Sequence, residues 1–130
     1  FDFDTLLNQI QGNQPDYKKR FLIQIGEKIR KIEVSEIAWF FVMDKATFVK
    51  TFAGKTYPVD LSLDKLESLL DPELFFRINR KYIVNIDAIE SMLAYSRGRV
   101  KLDLKPAADD KFDTIVSIER SSDFKKWLNR

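Results

Sequence analysis

The stretch ELFFRINRKYIVNIDAI, residues 73–89, combines an apolar strand with a cationic, amide-bearing loop. Tyr82, Ile83 and Val84 form the β-branched and aromatic run typical of a strand. Immediately before it stand Arg77, Asn79, Arg80 and Lys81, and no acid falls between Glu73 and Asp87. Arg and Asn side chains can pair bidentately with guanine and adenine edges, whereas Lys favours phosphates. Asn79, Arg80 and Lys81 would alternate faces within a strand, so a loop presents them together better. The plainer alternative is that Arg77 and Arg80 snorkel over apolar neighbours at a solvated edge.

Outward from this stretch the pattern is mostly of strands. RFLIQI and KIRKIEV flank a turn at Gly26, and EIAWFFVM is a continuous apolar run suited to a strand buried on both faces. ATFVKTF and KTYPVD flank Gly54, with Pro58 marking an edge strand. ESMLAYS and VKLDL are two strands joined around Gly98, and DTIVSI reads as one more. SLDKLESLL has leucines at helical spacing, Ser62 as N-cap and Asp71–Pro72 as its stop. SSDFKKWLNR reads as a terminal helix capped by Ser121 or Ser122, with Phe124, Trp127 and Leu128 inward. The expected fold is mainly β, stacked antiparallel sheets with one short internal and one short C-terminal helix.

Residues 1–16 are expected to form a linker or helical arm, with Leu6, Leu7 and Ile10 at helical spacing, and residues 17–130 the domain. The first residue is Phe1, which leads us to expect a further domain upstream. With no His and no Cys, nucleophilic triads, thiolate chemistry and the commonest metal ligands are absent. No metal, cofactor or enzyme activity is expected, although Asp44, Asp109 and Asp110 supply carboxylates. No apolar run approaches the ~20 residues of a membrane span.

The net charge is only +2, but the charge is unevenly spread. Residues 45–59, 74–86 and 91–102 hold Lys45, Lys50, Lys55, Arg77, Arg80, Lys81, Arg97, Arg99 and Lys101, and no acid. If the fold gathers the tips of these segments, a near-neutral domain acquires a basic face suited to a phosphate backbone.

Phe76, Arg77, Arg80, Tyr82, Val84, Asn85 and Ile89 together resemble the signature of LytTR domains, the DNA-binding output domains of many bacterial response regulators. Asn79 stands where His is common in that family, and Lys81 where Ser is common. A Val–Ser–Arg sequence is usual near the end, whereas here Ile118 follows Ser117 and the next arginine is Arg120.

The resemblance extends over about Tyr17 to Leu128 and implies stacked antiparallel sheets whose loops enter successive major grooves of double-stranded DNA. Carried over by position, the contacts fall at Lys45 to Thr47, at Asn79, Arg80 and Lys81 with Arg77 beside them, and at Glu119 to Ser121, Arg120 being the reader. It also implies a cytoplasmic transcription regulator with an upstream receiver domain, tandem direct repeats as target and self-association on DNA. The competing reading is a β-rich protein-interaction or ligand-binding module using Trp39, Phe40, Phe41, Phe48, Phe52, Tyr57, Phe75, Phe76 and Tyr95. An exposed aromatic patch beside acids favours that reading, and aromatics buried beneath a basic edge count against it.

Overall fold

A computed structural model describes residues 16–109 and 111–130; the helix expected within the N-terminal arm, over residues 1–14, lies outside them. Nine strands form three antiparallel sheets among the described residues. The central one has five strands in the order β5(Thr56–Val59), β4(Ala46–Thr51), β3(Ile37–Met43), β7(Tyr82–Asn85), β6(Phe75–Arg77). β1(Arg20–Ile25) pairs with β2(Lys28–Glu33), and β8(Ile89–Ala94) with β9(Val100–Leu104). The helices are α1(Leu63–Leu69) and α2(Ile118–Leu128).

The central sheet is buried on both faces because each face meets a separate core. Phe40, Val49, Phe75 and Ile83 pack with Phe21, Ile23 and Ile32 of the β1–β2 pair and with Leu63, Leu66 and Leu70 around α1. Trp39, Tyr82 and Val84 pack on the other side with Leu102 and Leu104 of β9 and with Phe124 and Trp127 of α2. This explains the uninterrupted apolar run of β3. A register shift between Ile37 and Trp39 lets Ile37 join Phe40 in the first core, where strict alternation would put it with Trp39. Pro58 does lie in an edge strand. Ser62 caps α1, accepting a hydrogen bond from the Lys65 amide at 3.1 Å.

Two boundaries differ from the sequence expectation. DTIVSI is not a strand: a 3-10 turn spans Lys111–Thr114, Ile115 makes one isolated bridge to Lys101, and α2 starts at Ile118. The carbonyls of Asp113 and Ile115 are taken by the Asn79 side chain, which removes acceptors a longer ladder would need. The N-cap position of α2 is Ser117, not Ser121 or Ser122, and the Ser117 side chain makes no capping bond. Ser121 lies inside the helix, buried, its hydroxyl donating to the Ser117 carbonyl at 2.8 Å. Phe124 and Trp127 face inward as expected, and Leu128 is partly buried.

Trp127 fixes α2 on the sheet. Its ring lies 5.2 Å from that of Phe76 and 5.7 Å from that of Phe124, and its indole N–H donates to the Pro72 carbonyl at 2.7 Å. Trp127→Phe retains a ring but orphans that carbonyl, and is expected to cost about 1–3 kcal/mol in urea denaturation.

Candidate nucleic-acid interface

One end of the central sheet gathers three segments. The first is the β3–β4 turn, whose two residues, Asp44 and Lys45, both have positive φ, 52° and 66°. Two-residue hairpins favour this mirror-image turn because its twist matches that of the strands, but Asn and Gly are its natural occupants. A lysine held there keeps an exposed cation in the β3–β4 turn, at a conformational cost of ~1–2 kcal/mol.

The second segment, residues 78–81, joins β6 to β7 at the same end. The amide of Val42 donates to the Lys81 carbonyl at 3.0 Å, tying this loop to the hairpin. The third, residues 113–117, leads into α2, and the Ser117 amide donates to the Ile78 carbonyl at 2.9 Å. The acid-free windows therefore converge only in part. Lys55 follows β4 at the sheet's opposite end, and Arg99 folds back on its own hairpin, 4.9 Å from the Tyr95 ring and 2.8 Å from the Ser96 hydroxyl.

Asn79 is committed inside the protein. Its amide nitrogen donates to the carbonyls of Asp113 and Ile115 at 2.7 and 2.9 Å, and its oxygen accepts from the amides of Lys81 and Tyr82 at 2.8 and 3.0 Å. These bonds use both donors and the two acceptor sites of the side chain, leaving no donor for a base. Arg77 is likewise engaged. Its side chain is 11% exposed, bonds the Asn79 and Arg80 carbonyls at 3.1 and 3.2 Å, and pairs with Asp64 and Glu67. The Arg77 hydrogen bond and charge hold the Asp64 carboxyl below its usual pKa. Of the expected contact residues, Asn79 and Arg77 thus have their side chains engaged within the fold, and the Ser121 hydroxyl donates to the Ser117 carbonyl. The partners of Arg77, Asp64 and Glu67, carry no local sequence signal. The Asx-type turn begun by Asn79 just before a strand was readable as one.

The remaining candidates face outward or stand beside the edge. Arg80 is exposed, and its guanidinium has no hydrogen bond or ion pair among the described residues. Lys81 is exposed and reaches Asp113 at 3.4 Å, a surface pair worth ~0–1 kcal/mol and easily exchanged for phosphate. Thr47 is half-buried within β4, opposite Val42 and Val59. Arg120 belongs to the first turn of α2 rather than to a loop, and lies 3.8 Å from Glu67. It lines a groove of about 420 Å³ between α1 and α2 with Arg77, Lys126 and Arg130. The aromatics are mainly structural: Trp39, Phe40 and Phe75 are buried, and the exposed Phe52 and Tyr95 lie just after β4 and β8, strands of separate sheets. Phe41 and Phe48, half-buried on the central sheet, stack at 5.5 Å.

Residues 27–129 match the family model described as the LytTr DNA-binding domain, and the chain belongs to that family. It is a DNA-binding domain of the LytTR type. Its fold is similar to that of the LytTr DNA-binding domain described for a putative methyl-accepting/DNA response regulator from Bacillus cereus. The TM-score is 0.74 at 23% identity, over 87% of this chain and 99% of the other. No curated protein sequence matches the chain significantly. No helix among the described residues is long and apolar enough to cross a membrane.

Two expectations follow from this geometry. Asn79→Ala should lower stability by about 1–3 kcal/mol in urea denaturation, whereas Arg80→Ala should stay within ~0.5 kcal/mol of wild type. Lys45→Gly should raise stability by about 1 kcal/mol, because glycine accepts positive φ freely, while weakening DNA binding by removing the cation. Thermal melting and duplex titration measure the two effects separately.

Proposed function

We propose that the domain binds specific double-stranded DNA sequences as the output module of a bacterial transcription regulator, with this end of the sheet directed into successive major grooves. The observation that carries the proposal is the exposed guanidinium of Arg80, which has no hydrogen bond or ion pair among the described residues. It projects from a loop whose backbone is fixed by Asn79 and Arg77, next to the Lys45 turn and the start of α2. Arg80 serves as the base reader, and Lys45 and Lys81 bind phosphates. Thr47 supports the Lys45 tip, and Arg120 meets the DNA flank once released from Glu67.

In this reading an upstream receiver domain controls the protein in the cytoplasm, and tandem direct repeats recruit copies that associate on DNA. The similarity to a response-regulator domain supports that arrangement. The net charge of +2 fits modest non-specific affinity, so sequence readout matters more.

Selection from random duplex DNA, followed by titration of the recovered sequence at two salt concentrations, tests the proposal. A short enriched motif bound more tightly than scrambled DNA is the expected result; no enrichment at low salt defeats it. Arg80→Ala should cost roughly 1–3 kcal/mol and relax preference at one base pair. Lys45→Ala should weaken all sequences similarly and make the salt slope shallower by about one unit.

A further inference from the structure

β8 presents both faces and one edge to solvent. Every residue from Glu90 to Ala94 is exposed, Met92 at 46% and Leu93 at 56%, and Tyr95 follows at 40%. Its one strand partner among the described residues is β9. The bonding along the hairpin fixes which backbone groups are left over. The Tyr95 amide donates to the Arg99 carbonyl at 2.9 Å, and in the register of the hairpin these two residues stand opposite each other, a hydrogen-bonded pair. Alternation then makes Leu93–Lys101 a bonded pair as well, and Met92–Leu102 and Ala94–Val100 non-bonded ones. The Val100 carbonyl agrees: it turns away from β8 and accepts from the Val116 amide at 2.8 Å. The N–H and C=O groups of Met92 and Ala94 therefore point outward from the free edge.

Edges of this kind are ordinarily blunted by a lysine, a proline or an inward-pointing charge. From Ser91 to Tyr95 the strand has no charged residue and no proline. A second copy running antiparallel can bond Met92 of one chain to Ala94 of the other, and the reverse, about a two-fold axis at Leu93. In that register Leu93 faces itself, Met92 faces Ala94, and no like charges meet. Centring the axis on Met92 instead sets Glu90 and Ser91 against Ala94 and Leu93. Centring it on Ala94 runs Met92 into the 3-10 turn at Ser96–Gly98.

We infer that β8 is a self-pairing edge through which two copies of this chain join their β8–β9 hairpins into one continuous antiparallel sheet. The contact is separate from the DNA-binding reading, because copies on direct repeats share one orientation and a two-fold axis reverses it. Sedimentation of the whole chain without DNA, over a concentration series, tests it. The mean mass of the wild type should rise toward that of two chains. Ala94→Pro should stay at the mass of one chain with an unchanged melting temperature, since the amide it removes bonds nothing inside the hairpin. Leu93→Cys gives a thiol to a chain that has no cysteine, and residues opposed in a non-bonded pair lie ~4.5 Å apart, within disulfide reach. Mild oxidation of Leu93→Cys should give a covalent dimer, and the same treatment of Gln24→Cys, exposed on β1, should not. The inference is overturned if wild type keeps the mass of one chain throughout, or if Ala94→Pro self-associates as wild type does. It is overturned as well if amide exchange finds Met92 and Ala94 protected at every dilution, since another segment then covers the edge. Should Ala94→Pro fail to fold, the two cysteine variants decide, and equal cross-linking by both defeats the inference.

Discussion

The carboxamide of Asn79 ties together chain segments 34 and 36 residues apart while also shaping the turn that contains it. Each of its hydrogen bonds is worth only ~0.5–1.5 kcal/mol net, but they converge on one side chain and act as a unit. The positions of the 78–81 loop and of the lead into α2 both depend on them. With Arg77 bonded to the carbonyls of Asn79 and Arg80, the backbone beneath the Arg80 side chain is held from two directions. A side chain carried on such a support loses less freedom on binding than one on a loose loop.

This end of the sheet divides its polar residues by role. Asn79 and Arg77 maintain the geometry, while Arg80 and Lys81 keep their charges toward solvent. The Asp44–Lys45 turn follows the same logic, with a left-handed backbone retained where glycine would relieve the strain but remove the cation. Two cores, one on each face of the central sheet, supply the rigidity against which these features are held.

Charge counts along the chain overstate the basic character of this edge. Arg77 is neutralised by Asp64 and Glu67, Lys81 meets Asp113, and the Arg99 guanidinium returns to its own hairpin. The low net charge is consistent with a surface where a few well-placed groups matter more than a broad positive field.

The sequence by itself determined the order of most strands along the chain, the double burial of IAWFF, the Ser62 cap, the Pro58 edge and the family signature around Arg80. Each depends on local periodicity, turn chemistry or a short contiguous motif. Tertiary structure alone decided that Asn79 and Arg77 work inward, that DTIVSI becomes a turn with a single bridge, and that α2 begins after Ser117 rather than after Ser121 or Ser122. The reason is physical. A polar side chain has the same identity whether it meets a base or a carbonyl, and for Asn79 the choice is made by carbonyls 34 and 36 residues away. Ile118 shows the same limit from the other side: its sequence context suggests one more strand residue, whereas it opens α2 and is exposed.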